Sequence, residues 1–161
     1  MRWAVVGGVA TRMYMPERST KVLDIAIRSE DAPQVHRRLS DAGFAMKGRR
    51  TIEGTAWSAR DGTPLDVLEL DAEWADDALL YAASNKDVTG APIMPLPYLV
   101  LMKFRSGRLQ DIADIGRMLV SARDQQLDAV RAALRRYEGD ALDDLDATIA
   151  LARLETQGSV D

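Results

Sequence analysis

Residues 5–26, VVGGVATRMYMPERSTKVLDIA, restrict the fold more than any other stretch of the chain. A short apolar run, Trp3 to Val6, stops at Gly7-Gly8, the pattern of a buried strand turning into a helix. After a compact segment containing Pro16 the chain resumes as Val22-Leu23-Asp24-Ile25-Ala26-Ile27, β-type throughout with a single acid inside it. A carboxylate placed in an apolar strand is costly unless it has a partner, a metal or a cleft to face. Asp24 therefore predicts a site on one face of a central strand.

The remaining elements follow in order. Residues 9–15 are expected to form a brief helix stopped near Pro16. Ser29 and Asp31 offer capping groups to a helix in which Val35, Leu39 and Ala42 recur at helical spacing until Gly43. A short run at 44–46, a basic loop Lys47-Gly48-Arg49-Arg50 and a β-type run at 51–59 come next. Asp61-Gly62 marks a hairpin turn into the strand 65–70, which carries a second buried-type acid, Asp66. Residues 74–82 read as helix, and 85–97 as a connector with Gly90, Pro92 and Pro95 and one or two short edge strands. Pro97 suits the first turn of a helix continuing through Phe104. Beyond Gly107 the pattern is helical over 109–122, 126–137 and 140–154. This order predicts an α+β core over 1–97 and a C-terminal helical bundle, 98–161, packed on it.

Composition narrows the chemistry. At 161 residues and 47% hydrophobic the chain can bury a proper core. With no cysteine, a disulfide framework, a thiolate zinc site and a cysteine nucleophile are excluded. His36 is the only histidine, so Ser-His-Asp chemistry would rest on one residue of a helical pattern. No apolar run approaches the ~20 residues of a membrane span and no leader opens the chain; a cytoplasmic protein without a membrane partner is expected. The net charge of −4 argues against a general nucleic-acid binder, and no specific DNA binding is expected. Residues 1–60 carry 11 Lys+Arg against 6 Asp+Glu, whereas 61–161 carry 10 against 19. A basic front half suits an anionic ligand such as a nucleoside triphosphate or RNA; a chance spread over solvated faces is the alternative.

Several residues leave two readings open. Gly7-Gly8 fits a phosphate-approaching turn or a plain strand-to-helix turn, and Arg18 and Thr20 fit a ligand site or a loop closed by hydrogen bonds. Lys103, on an otherwise apolar helix, fits a phosphate contact or an ion pair to Asp66 or Asp114. Arg108, Asp111 and Asp114 stand at helical spacing, for which an intrahelical ion pair is the default. Lys47, Arg49 and Arg50 fit a contact to RNA or phosphate, or solvated hairpin charges.

Taken in order, Gly7-Gly8-Val9-Ala10, Arg18-Ser19-Thr20 with the strand acid, Leu65-Asp66-Val67-Leu68 and Leu101-x-Lys103…Arg108-x-x-Asp111-x-x-Asp114 resemble the AbiEii-type and related minimal nucleotidyltransferases of the DNA polymerase β-like superfamily. The resemblance runs from residue 3 to near residue 120. It implies a nucleotidyltransferase-like mixed sheet flanked by helices, an NTP donor, and Mg²⁺ or Mn²⁺ as cofactor. It also implies transfer of a nucleoside monophosphate to a hydroxyl on RNA (tRNA included), protein or a small molecule. Similar toxins of toxin–antitoxin and abortive-infection systems imply an antitoxin or other partner protein. By the same resemblance Asp24 and Asp66 are catalytic metal ligands, Gly7, Gly8, Arg18 and Thr20 meet phosphates, and Lys103 and Arg108 offset triphosphate charge.

The chemistry behind the pattern is general. Carboxylates on neighbouring strands hold Mg²⁺, which clamps a triphosphate for in-line displacement at the α-phosphorus. Glycines before a helix let backbone N–H groups approach phosphate oxygens, and nearby cations stabilise the departing pyrophosphate. One departure stands out. The family pattern puts a pair of strand acids at positions 22 and 24, and this chain has Val22 and Asp24. Shifting the register makes Ala26 the second position, so only Asp24 and Asp66 remain. Of the nearest acids, Glu17 and Glu69, strand alternation turns Glu69 to the face opposite Asp66. A catalytically inactive nucleotide-binding, regulatory or interaction module is therefore the alternative expectation.

Overall fold

The computed structural model describes residues 1–16, 20–50 and 54–158. The chain divides into two compact units: one of residues 1–12 and 17–95, the other of residues 13–16 and 96–161.

The first unit holds the sheet. Strand β1 (Trp3–Val6) runs into a one-turn helix α1 (Gly7–Thr11), followed by β2 (Leu23–Arg28) and α2 (Ala32–Asp41). Three further strands, β3 (Ala45–Arg49), β4 (Gly54–Ser58) and β5 (Pro64–Leu70), precede α3 (Ala75–Ala82). The strand order is β1-β2-β5-β4-β3, with β2 and β5 parallel and every other pairing antiparallel. The parallel pair is central because α2 and the β3–β4 hairpin carry the chain across between them. Side chains alternate across these strands and give the sheet two different faces. Ile27, Leu65, Val67 and Trp57 bury themselves against Ala32 and Val35 of α2, with Ile25, Leu39 and Phe44 at the margin. On the opposite face Arg28 reaches α3, pairing with Asp76 at 3.4 Å and donating to the Ala72 carbonyl at 3.2 Å. The connector after α3 closes the β1 edge: the Val5 N–H donates to the Pro92 carbonyl at 2.7 Å and the Met94 N–H to the Val5 carbonyl at 3.0 Å.

Among the described residues the second unit contains four α-helices, α4 (Leu96–Ser106), α5 (Leu109–Val120), α6 (Asp124–Tyr137) and α7 (Leu142–Gly158). Leu99, Leu101, Ile115, Met118, Leu119, Leu134 and Leu145 are fully buried among them. Gly116 lets α5 and α7 approach closely, since a Cβ there would lie 3.1 Å from the Ala152 Cβ. No helix among the described residues is long and apolar enough to cross a membrane.

Two expectations are corrected. The helix after β1 begins at Gly7 and ends at Thr11, rather than spanning 9–15. It stops where the Thr11 hydroxyl turns back onto the Gly8 carbonyl at 2.8 Å, well before Pro16. Lys47, Gly48 and Arg49 do not form a loop but belong to β3, whose register shifts between Met46 and Gly48. This strand is exposed along most of its length. An edge strand of that kind needs no hydrophobic alternation and is protected by its charges, so the sequence pattern reads as loop.

Candidate active site

The parallel pairing of β2 with β5 places Asp24 directly beside Asp66, and the alternation directs both to the face away from α2. Neighbouring strands stand about 4.8 Å apart, so the two carboxylates occupy one local site. The row they share runs across the whole sheet: Gly48, Ala56, Asp66, Asp24 and Val6 are successive register partners. On one side of the acids the row is therefore floored by small residues.

Gly7 closes the other side. Its backbone is left-handed, φ +63°, and a Cβ there would sit 2.2 Å from Oδ2 of Asp24. Both the conformation and the close approach demand glycine. Gly8 is buried in the first turn of α1. Asp66 is 8% exposed and forms an ion pair through Oδ2 with Nη1 of Arg50. Arg50 stands two residues beyond Gly48 and so shares its face, and its N–H donates to the Gly54 carbonyl at 2.9 Å. Glycine at 54 and alanine at 56 leave β4 free of bulky side chains under the path from Arg50 to Asp66.

Thr20 uses its hydroxyl locally, donating to the Val22 carbonyl at 3.3 Å and receiving the Val22 N–H at 3.5 Å. Val22, just before β2, is half-buried and brings no donor atom to the acids. Arg18 and Glu17 lie outside the described residues. Glu69 points to the α2 face, where its carboxylate meets Nε2 of His36 at 3.1 Å. The same nitrogen shares a 3.1 Å hydrogen bond with the Thr55 hydroxyl, which also receives the Trp57 indole N–H at 2.9 Å. His36 is thus part of a polar brace between α2 and the sheet.

Lys103 and Arg108 belong to the helical unit. The Lys103 ammonium is buried and bonded to Asp111 at 2.8 Å and Asp114 at 2.9 Å. Asp114, fully buried, also accepts from the Gln110 amide at 3.0 Å. Asp111 accepts from the Ser106 hydroxyl as well, and exposed Arg108 lies 3.4 Å from it. Burial pushes the Asp111 carboxyl upward, but the hydrogen bonds and charges of Lys103, Ser106 and Arg108 outweigh it and hold the group below the usual carboxylate range.

The structure therefore brings Gly7, Asp24 and Asp66 together within one unit and adds Arg50, which the sequence offered only among three cations fit for an RNA or phosphate contact or for solvated hairpin positions. The available signal was parity. A third strand ending near residue 49, paired in register, would have aimed Arg50 at the acids. Among the described residues no group of three or more His, Cys, Asp or Glu is arranged to hold a metal ion. Two adjacent carboxylates fit Mg²⁺ only in part, as a cation that completes its shell with water and phosphate oxygens.

The mixed five-stranded sheet, its flanking helices and the helical C-terminal half make up a nucleotidyltransferase-like fold. No protein-family model matches the chain, and no curated protein matches it. Among solved structures it is similar to the antibiotic-resistance factor ANT(2'')-Ia in solution, with a TM-score of 0.51, 17% identity, and coverage of 98% of this chain and 87% of that one. ANT(2'')-Ia in complex with adenylyl-2''-tobramycin gives a TM-score of 0.51 at 12% identity, covering 96% and 88%. The lincomycin-bound lincosamide adenylyltransferase LnuA also matches, at 0.46 and 14%, covering 80% and 86%. The first two likenesses carry the fold.

Proposed function

We propose that this protein binds a nucleoside triphosphate at the Asp24–Asp66 pair and transfers the nucleoside monophosphate to a hydroxyl of a small molecule. The observation that carries the reading is the register pairing of two aspartates on parallel strands beside a left-handed glycine. The acceptor class is suggested by the ANT(2'')-Ia structure that holds an adenylylated antibiotic. RNA, tRNA included, and protein hydroxyls are the other acceptors to be tested, and an antitoxin-like partner belongs with those readings. An NTP donor accords with a cytoplasmic setting.

In this mechanism the backbone around Gly7 and Gly8, with Arg18 and Thr20, borders the phosphates. When bound, Mg²⁺ or Mn²⁺ held by Asp24 and Asp66 supplies charge neutralisation at the α-phosphate. A carboxylate of the pair takes the proton of the acceptor hydroxyl. The new oxygen–phosphorus bond forms as the bond to the β-phosphate breaks, and pyrophosphate leaves with the electron pair. The proposal rests on the sheet-bearing unit alone, because the Lys103 ammonium is bonded to Asp111 and Asp114 within its own unit.

A second reading, nucleotide binding without turnover, is favoured by Val22 and by the engagement of Asp66 with Arg50. Incubation with α-labelled NTPs, Mn²⁺ or Mg²⁺, and panels of antibiotics, tRNA and protein separates the two. Label transfer abolished by Asp24→Asn supports the enzyme. Nucleotide-dependent thermal stabilisation without transfer supports the binder, and neither response refutes both.

A further inference from the structure

We propose that the open edge of β3 takes an acidic, extended segment of a partner protein as a further strand of the sheet. The inference stands apart from the nucleotide reading and uses none of the residues assigned to it.

The two edges of the sheet differ. At β1 the connector closes the ladder, with backbone bonds from Val5 to Pro92 and from Met94 to Val5. At the other end β3 is the last strand, and among the described residues it pairs only with β4. The Arg50 N–H donates to the Gly54 carbonyl. Alternation along an antiparallel ladder then turns the N–H and carbonyl of Arg49, one residue earlier, away from β4. Those are the groups an incoming strand bonds, while the side chains beside them select which strand it is. The register shift between Met46 and Gly48 bends the edge, so the addition centres on Arg49 rather than on the whole of β3.

The side chains select acid. Lys47 and Arg49 are exposed, and neither has a carboxylate partner among the described residues. Arg60 is exposed as well and lies over the turn into β3, where a Cβ on Gly43 would stand 2.2 Å from its Nε. Arg50 is not counted with them, because it is bonded to Asp66. Met46 is 48% exposed and sets an apolar contact beside the cations, the pairing of residue types that protein interfaces favour. A second copy adding β3 to β3 would bring these cations against their own kind, and like charges across a ladder destabilise it. A segment with Asp or Glu at alternate positions meets opposite charge and completes the backbone bonds. Nucleic acid would meet the cations but lacks the alternating donors and acceptors of a strand. The nearest rings, Trp57 and Phe44, are also buried or half-buried rather than presented for stacking.

The test uses the full chain and a labelled synthetic peptide alternating glutamate and valine, with a lysine–valine peptide and an oligouridylate beside it. Fluorescence anisotropy reads binding, and amide hydrogen exchange reads the Arg49 N–H. The acidic peptide is expected to bind, less tightly as salt is raised, and to slow exchange at Arg49. Lys47→Glu with Arg49→Glu should weaken that peptide about tenfold or more and admit the lysine peptide instead. Lys47→Gln with Arg49→Gln should weaken the acidic peptide without admitting the other, and this pair carries the test if charge reversal unfolds the chain. Proline in place of alternate valines removes N–H donors from the peptide and should abolish protection of Arg49. Failure of the acidic peptide to bind, or binding that leaves Arg49 unprotected, overturns the inference. Oligouridylate binding as tight as that of the acidic peptide and lost in the same variants also overturns it, making the edge a nucleic-acid surface. A dimer in sedimentation that the charge-reversed pair disperses overturns it in favour of a second copy.

Discussion

Replacing Lys103 by methionine should destabilise the protein far more than a surface substitution, and the cause can be isolated. The ammonium bonds Asp111 at 2.8 Å and Asp114 at 2.9 Å, with the Asp114 side chain fully buried and that of Asp111 17% exposed. Methionine fills a similar volume but leaves both carboxylates without their shared cation. Ser106 and Gln110 still donate hydrogen bonds, while Arg108 and Arg117 are 64% and 60% exposed and too solvated to substitute. Removing one partner from a buried ion pair costs about 3–5 kcal/mol. For a chain of this size that corresponds to a fall in Tm of about 6–20 °C. The assay is urea unfolding and scanning calorimetry at pH 7, repeated at lower pH. Asp111 is held below its ordinary range in the folded protein, so its contribution is complete above the unfolded value, about 3.9, and disappears as pH falls through the lower folded value. The gap between wild type and Lys103→Met should therefore close under acid. A triple variant that also carries Asp111→Asn and Asp114→Asn should recover much of the loss, because no unpaired charge remains. A loss below about 1 kcal/mol at pH 7, or a gap that does not narrow with acid, refutes the reasoning. The same triple variant asks whether Lys103 binds phosphate as the sequence suggested: weakened ATP binding in that folded background would say that it does.

Three other outcomes follow from the geometry. Gly7→Ala must relieve a 2.2 Å approach to Asp24 and adopt φ +63°, so it should lose at least about 1 kcal/mol of stability and nucleotide-dependent stabilisation together; an alanine variant with wild-type Tm and nucleotide response would contradict the packing of Asp24 over Gly7. Val22→Asp introduces a third acid two residues before Asp24 and should tighten Mn²⁺ binding about tenfold or more; a titration matching wild type would show that position 22 does not face the site. Thr55→Val removes the hydroxyl shared by His36 and Trp57 at a position 1% exposed, and should cost about 1–3 kcal/mol in urea unfolding, with a change under about 0.5 kcal/mol counting against the brace.

Much of the site was legible because its signals are local. Asp24 announces itself as the one acid in a β-type run, and the Asp61-Gly62 turn delimits the strand that carries Asp66. There the Asp61 side chain accepts the Thr63 N–H at 2.9 Å and Gly62 takes φ +87°. Glu69 could be assigned to the far face from alternation alone, and its contact with His36 lies there. Other features depend on pairings that no local pattern encodes. Strand β3 carries two cations and a glycine on a solvated edge, so its β character comes from hydrogen bonding to β4 rather than from buried side chains. Lys103 could be recognised as an anomalous charge, yet its choice of Asp111 together with Asp114 depends on the angle at which α5 returns after Gly107.

The consequence for the site is that its acids and its arginine have to be considered as one electrostatic unit. Asp24 and Asp66 side by side would repel each other strongly at about 5 Å in a partly dry setting. A third acid at position 22 would aggravate that repulsion and make the site dependent on a metal for its own stability. With Val22 in place, Arg50 reaches Asp66 from the edge of the same sheet and offsets part of the charge of the pair. A neutral side chain at position 22 and an arginine beside Asp66 act in the same direction, lowering the demand for a resident cation. On this argument Val22 is matched to Arg50, and Val22→Asp combined with Arg50→Gln should show a larger gain in Mn²⁺ affinity than either change alone. Were the double variant no tighter than Val22→Asp, the two positions would not share one field and the electrostatic unit would dissolve into separate contacts.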